Sequence, residues 1–226
     1  MNDKNQVAES IARIKREIDG RARLLAATKT VPPEMINFAI EQGIDLIGEN
    51  RVNELLEKYD LIDRDKCEIH FIGALQTNKV KYIIDKVDMI HSVDRISLAD
   101  EIERQAAKKG IIMPVLAEVN IGNEATKSGV SESEAGEFCR YLSSLPHIKL
   151  CGLMAIPPKC EKKGGNNEYF CKMRKIFVDI SYQNVDNSTM DVLSLGMSDD
   201  YLDAVECGST MVRVGSGIFG KRIYKE

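Results

Sequence analysis

Apolar positions along this chain recur with two periods, and the periods alternate. Val7, Ile11, Ile14 and Ile18 fall three or four residues apart in a charged stretch, which predicts an amphipathic helix at the N-terminus. Short apolar runs then predict strands at 24–28, 46–48, 70–73, 89–93, 115–121, 149–156, 192–195 and 211–214. Amphipathic segments at 34–42, 51–59, 79–85, 96–108, 132–145, 169–182 and 201–206 predict helices between and after them. Strand followed by helix, repeated about eight times, argues a parallel sheet with right-handed crossovers.

In a chain of 226 residues this alternation favours an α/β fold, a single closed (β/α)8 barrel domain over 1–226 with an extra N-terminal helix. The rival is an open doubly wound sheet, which would carry Gly-x-Gly-x-x-Gly after its first strand. Here the first strand runs into Thr28-Lys29-Thr30-Val31-Pro32, with no glycine. The segment 159–168, with Gly164, Gly165, Asn166 and Asn167, reads as a surface loop, either a lid or a variable connection.

Composition removes several function classes. A formal charge of −4 gives no basic footprint for nucleic acid and no polybasic patch for an anionic membrane. The apolar runs are far shorter than the roughly 20 residues of a spanning helix. The charged N-terminus has no signal-peptide core, so a cytoplasmic protein is expected. Six cysteines include no Cys-x-x-Cys pair, so neither a metal site nor a redox motif is predicted. Cys139, Cys151 and Cys207 read as reduced core residues; Cys160 and Cys171 flank a loop and are open to reaction.

In a (β/α) barrel, function collects on the loops after the strands. Lys29 ends the first predicted strand. Such a lysine either extends its amine to water or serves as a Schiff-base lysine in a partly dry site. Gly196-Met197-Ser198 and Gly215-Ser216-Gly217 follow the seventh and eighth strands, where this fold most often binds phosphate. Ser198-Asp199 also reads as a helix N-cap. Arg213 precedes the last turn by two residues, and its guanidinium needs an acceptor. Glu118 or Asp94 would serve, and so would the pyridine nitrogen of a pyridoxal ring. Lysine, phosphate cradle and arginine together make a complete site for pyridoxal 5′-phosphate (PLP).

These motifs have a family likeness over nearly the whole chain. It runs through Leu25-Ala26-Ala27-Thr28-Lys29-Thr30, Ile47-Gly48-Glu49-Asn50-Arg51-Val52-Asn53-Glu54 and His70-Phe71-Ile72-Gly73-Ala74-Leu75-Gln76-Thr77-Asn78-Lys79. It continues in Val119-Asn120-Ile121, Lys127-Ser128-Gly129, Gly152-Leu153-Met154-Ala155-Ile156-Pro157, Leu193-Ser194-Leu195-Gly196-Met197-Ser198-Asp199-Asp200 and Gly208-Ser209-Thr210-Met211-Val212-Arg213-Val214-Gly215. The chain resembles the pyridoxal-phosphate homeostasis proteins, the PLP-binding barrels also called proline synthase co-transcribed proteins. The resemblance implies a barrel like the N-terminal domain of alanine racemase. It makes Lys29 the Schiff-base lysine, Ser198, Gly215 and Ser216 phosphate contacts, Arg213 the partner of the ring nitrogen, and Asn50 a neighbour of the cofactor. Ile69, Ala74 and Arg51 stand where the family often has an aromatic residue, Pro and Tyr, and Arg51 alters the charge of the rim.

Two function classes follow from the likeness: a carrier that holds PLP without substantial turnover, and a PLP-dependent amino-acid racemase. An arginine donating to the ring nitrogen leaves that nitrogen unprotonated, a weaker electron sink. A racemase also needs a second proton-transfer group on the opposite face of its substrate. His70, His91 and Tyr224 are the rivals for that role, and none has a spacing that places it there. The chain ends soon after the eighth strand, without the second domain that completes racemase sites. The expectation is therefore a carrier, a monomer that exchanges PLP with solvent or with PLP-dependent apoenzymes. A barrel enzyme that binds only a phosphate is the third reading.

Overall fold

The structure, a computed structural model, describes residues 2–124, 127–160, 162, 164–183 and 187–220. Eight parallel strands close into a barrel in sequence order. They are β1 Arg23–Ala27, β2 Leu46–Glu49, β3 Glu68–Phe71, β4 Met89–Val93, β5 Met113–Glu118, β6 Ile148–Met154, β7 Ser188–Ser194 and β8 Met211–Val214. Among the described residues the helices are α1 Lys4–Ile18, α2 Pro33–Glu41, α3 Val52–Lys58, α4 Val80–Ile83, α5 Ile96–Lys109, α6 Ala135–Ser143, α7 Asn167–Ser181, α8 Tyr201–Glu206 and α9 Ser216–Phe219. The barrel closes where β1 pairs with β8, with Leu25 opposite Arg213 and Ala26 opposite Val214.

Side chains alternate across each strand, so every strand feeds two compartments. Leu24 and Ala26 of β1 and Val212 and Val214 of β8 face outward into the large core between sheet and helices. Leu25, Leu46, Ile72 and Met211 pack together inside the barrel. Leu116, Cys151 and Met154 form a second inner cluster. His70, His91, Ser194 and Arg213 are also buried, so the interior mixes apolar plugs with polar groups.

The predicted N-terminal helix is present. Asp3 caps it, with the Asp3 and Gln6 side chains each accepting the other's backbone N–H. Val7, Ile11, Ile14 and Ile18 are all buried, each gaining roughly 1.5–3 kcal/mol as an upper estimate. Asn2 ties the helix to the end of the chain: its N–H donates to the Phe219 carbonyl at 2.8 Å and its side-chain amide to Ile218 at 2.9 Å.

Three expectations are corrected. β3 begins at Glu68 rather than His70, in register with Leu46 at the start of β2. β7 begins at Ser188, four residues before the apolar run that signalled it. Cys207 is not a reduced core residue: it lies beyond α8 and forms a disulfide with Cys171 of α7. Cys139 and Cys151 are buried and free as expected, and Cys160 is exposed. The end of the 159–168 loop is tethered to α8. The Gly164 N–H donates to Asp203 and the Asn166 amide to Asp200. Glu161, Lys163 and Tyr224 lie outside the described residues. No helix among those described is long and apolar enough to cross a membrane.

Candidate functional site

Lys29, Asn50, Ser198, Arg213, Gly215 and Ser216 line one cavity of about 300 Å³ at the carboxyl ends of the strands. Ala27, Ile72, Ile156, Met197 and Asp199 complete its wall. Larger grooves exist elsewhere, about 640 Å³ between α6 and α7 and about 550 Å³ at the amino-terminal rim. Neither gathers an unpartnered amine with unspent donors, and the smaller cavity lies where barrels of this kind place their chemistry.

Lys29 is held by its neighbours rather than by its own side chain. β1 stops at Ala27, and the Val31 N–H closes a turn onto the Thr28 carbonyl at 2.9 Å. Thr28 is fully buried; its N–H donates to Gly48 at 3.0 Å and its hydroxyl to Glu49 at 2.7 Å. On the other side Thr30 takes a left-handed φ of 63°, which costs a β-branched residue about 1–3 kcal/mol. Its N–H is fixed by Glu54 Oε2 at 2.9 Å. Beneath the turn the Lys58 ammonium donates to the Thr28 carbonyl at 3.0 Å and to Glu49 Oε1 at 3.1 Å, and lies 3.6 Å from Glu54. Burial pushes the Glu49 carboxyl up, opposed by Lys58 and Thr28, and its second oxygen has no partner. A buried ion pair is a weak source of stability; here Glu49 and Lys58 hold Thr28 on one side of Lys29, while Glu54 holds Thr30 on the other. The Lys29 amine itself is half-buried and has no hydrogen bond or ion pair among the described residues.

Asn50 enters the cavity from the loop after β2. A Cβ on Gly73 would stand 2.1 Å from the Asn50 carbonyl oxygen, so only glycine lets the loop after β3 come this close. That approach seats Ile72 over Leu25 and Leu46 as part of the cavity wall.

Arg213 is buried, and neither Glu118 nor Asp94 is its hydrogen-bond partner. NH1 donates to the Ser194 carbonyl at 2.7 Å and hydroxyl at 2.6 Å, and NH2 donates to the Ala155 carbonyl at 3.0 Å. Five guanidinium hydrogens are available. The Nε–H and the second NH2 hydrogen meet no acceptor among the described residues, on a side chain that lines the cavity. Burial lowers the Arg213 pKa to about 10, with Glu118 and Asp200 opposing. Glu118 is itself pushed up by burial and accepts from the Ser128 hydroxyl at 2.9 Å.

The serine–glycine turn differs in detail from expectation. The Gly215 N–H donates to Ser198 Oγ at 3.3 Å, and the Gly217 N–H donates to the same oxygen at 3.0 Å. Ser198 thereby turns two backbone donors into one hydroxyl hydrogen that meets no acceptor among the described residues. The Ser216 N–H is likewise unspent. The cap of α8 is Asp200, not Ser198-Asp199; its carboxylate accepts the Met197 N–H at 2.7 Å and the Asn166 amide at 2.8 Å.

The sequence reading missed the apolar wall and the buried grip on Lys29. Ile156 and Met197 are over a third exposed, an available signal: large apolar residues just past a strand end. Glu49 and Lys58 carried no such signal, because charges near a helix ordinarily face water.

A closed barrel with an unpartnered lysine after β1, an arginine in β8 and a serine–glycine turn beyond it defines a barrel of the alanine racemase type. The family model "Alanine racemase, N-terminal domain" matches residues 3–223. The chain belongs to that family and, within it, to the pyridoxal phosphate homeostasis proteins: the Aquifex aeolicus protein of that name is 47% identical over 203 residues, 90% of this chain and 88% of that one. Among solved structures, a Bifidobacterium adolescentis protein superposes with a TM-score of 0.91 at 33% identity, covering 97% of both chains. PipY of Synechococcus elongatus, solved with PLP bound, superposes with a TM-score of 0.85 at 29% identity, covering 95% of this chain and 100% of that one.

Proposed function

We propose that this chain, as one domain over 1–226, binds pyridoxal 5′-phosphate through a Schiff base to Lys29 and serves the homeostasis of that cofactor without substantial turnover of amino acids. One observation carries the reading: an unpartnered amine, two unspent guanidinium hydrogens and the free donors of Ser198 and Ser216 face a single cavity with apolar walls. The donor set fits an aldehyde, a pyridine nitrogen and a phosphate. When bound, the group supplies an electron sink conjugated to its aldehyde carbon.

Lys29 is the attachment point. Arg213 donates to the ring nitrogen and so keeps it unprotonated, since a guanidinium cannot accept. The Ser198 hydroxyl and the Ser216 N–H bind the phosphate, while Gly215 acts on it through Ser198. Ile72, Ile156 and Met197 give the ring dry contacts, and Asn50 flanks it. The names of the relatives and the PLP-bound neighbour support the cofactor and the role. The carrier reading gains from the histidines: His70 and His91 lie beneath Arg213 in the barrel interior and are bonded to one another. They offer no second proton-transfer group at the cavity. The exposed mouth suits a cytoplasmic monomer that exchanges PLP with solvent or with PLP-dependent apoenzymes.

The test is an absorbance spectrum of the protein loaded with PLP, followed by borohydride reduction and peptide mapping. The pyridoxyl label is expected on Lys29. A label on Lys79 or Lys127 instead overturns the assignment. Incubation with L-alanine separates carrier from enzyme: D-alanine appearing at a typical rate of about 1–1000 per second restores the racemase.

A further inference from the structure

The buried polar residues of the barrel interior form one continuous file. From the site downward, Arg213 NH1 donates to Ser194 Oγ at 2.6 Å, and Ser194 Oγ lies 3.4 Å from His91 Nδ1. His91 Nε2 is 2.9 Å from His70 Nδ1, and His70 Nε2 is 3.3 Å from Glu68 Oε2. At the amino-terminal rim Arg23 grips both Glu68 oxygens, at 2.8 and 3.0 Å. Ser194 and His91 are fully buried, and His70 nearly so.

The ends of the file fix its direction. A guanidinium only donates and a carboxylate only accepts. Ser194 Oγ takes a hydrogen from Arg213, so its own hydroxyl hydrogen needs an acceptor, and His91 Nδ1 is the one within reach. His91 then carries its hydrogen on Nε2 and donates to His70 Nδ1. His70 in turn carries its hydrogen on Nε2 and donates to Glu68. Burial keeps His91 neutral, and the positive charge of Arg213 acts the same way. Every donor points away from the cavity, and each acceptor end points back toward the buried guanidinium.

We propose that Ser194, His91, His70 and Glu68 are positioning residues for Arg213: the file occupies one NH1 hydrogen and, together with the Ser194 and Ala155 carbonyls, turns the Nε–H and the second NH2 hydrogen into the cavity. Only the last step, toward PLP, rests on the function proposed above. The file spans the barrel, so one of the three bonds that hold a site residue in β8 is linked to the opposite rim.

The cofactor-free protein gives the first test. It has three histidines, and His147 is set apart by its Nδ1 contact to Glu103 at 2.6 Å. Long-range proton–nitrogen correlation at neutral pH should show His70 and His91 both as the Nε2–H tautomer. A hydrogen on His91 Nδ1, or a doubly protonated His70, overturns the direction. In the same preparation Ser194→Ala should broaden the Arg213 guanidinium resonances by freeing rotation. Unchanged, sharp resonances overturn the positioning role whether or not PLP binds.

A double-mutant cycle then links the file to the cofactor. Ser194→Ala should raise the PLP Kd about two- to tenfold, the net worth of one hydrogen bond. In an Arg213→Met background the same change should cost less than about twofold. An equal cost in both backgrounds means that Ser194 does not act through Arg213. Failure of the wild type to take up PLP sinks the functional reading and leaves the tautomer and guanidinium results to decide the positioning role.

Discussion

Replacing Lys58 by methionine separates the grip on Lys29 from ordinary packing. Methionine keeps the length of the stem and removes the ammonium. Two hydrogen bonds are lost, to the Thr28 carbonyl and to Glu49 Oε1, together with the 3.6 Å contact to Glu54. Glu49 is fully buried and already has one orphaned oxygen, so the variant leaves a carboxylate held only by the Thr28 hydroxyl. Breaking a buried pair from one side costs about 3–5 kcal/mol, mostly the uncompensated charge. At about 2–4 °C per kcal/mol for a chain of this size, Lys58→Met should lower Tm by about 6–20 °C. Removing the second charge as well, in Lys58→Met/Glu49→Leu, should recover much of that loss, because the penalty lies in the unpaired group. Thermal unfolding followed by circular dichroism measures both. The double variant should nonetheless react with PLP more slowly than wild type, since Thr28, on one side of Lys29, loses the partners of its carbonyl and its hydroxyl. A Tm drop below about 2 °C in the single variant refutes the electrostatic argument. Full recovery of both stability and PLP uptake in the double variant refutes the idea that the pair serves Lys29.

Two further outcomes follow from the cavity wall. Ser198→Ala should weaken PLP binding about 10- to 100-fold in an equilibrium titration, the worth of a charge-assisted hydrogen bond; an unchanged Kd with the fold intact moves the phosphate elsewhere. Gly73→Ala should destabilise the fold and displace Asn50, because its Cβ meets a backbone oxygen at 2.1 Å. By contrast Gly136→Ala, on α6 with no neighbour nearer than 3.7 Å, should raise Tm slightly, and equal behaviour of the two refutes the close-approach argument.

The parts of this molecule legible in its sequence are those set by local patterning. Val7, Ile11, Ile14 and Ile18 announce α1 because only a helix puts all four on one face. β4 and β8 coincide with their apolar runs. β7 does not, because it opens on the polar residues Ser188, Thr189 and Asp191, and Ser188 joins the sheet by pairing with Leu150, which hydropathy does not register. β3 starts two residues ahead of its apolar run for a related reason: Glu68 belongs to the strand but stands at the wet rim. The six proposed site residues converge because barrel topology brings the ends of β1, β2, β7 and β8 to one opening, so a position at or just after a strand end is the signal for all six. What topology does not supply is the partner of each group. The partners of Arg213, the engagement of the Gly215 N–H by Ser198 and the Cys171–Cys207 bond join residues 17 or more apart in the chain, and the Glu49–Lys58 pair joins a strand to the following helix; each depends on how those elements pack.

The pairing of β1 with β8 also orders events in time. Lys29 follows the first strand and Arg213 lies in the last, so the two sides of the cavity are nearly a whole chain apart until Leu25 meets Arg213. Contacts of such separation form late, after loop-closure entropy has been overcome. A partly folded chain can assemble neighbouring strands such as β5 and β6 and bury much of their apolar surface, yet it has no binding site. Capture of ligand at the proposed site therefore waits on closure of the ring.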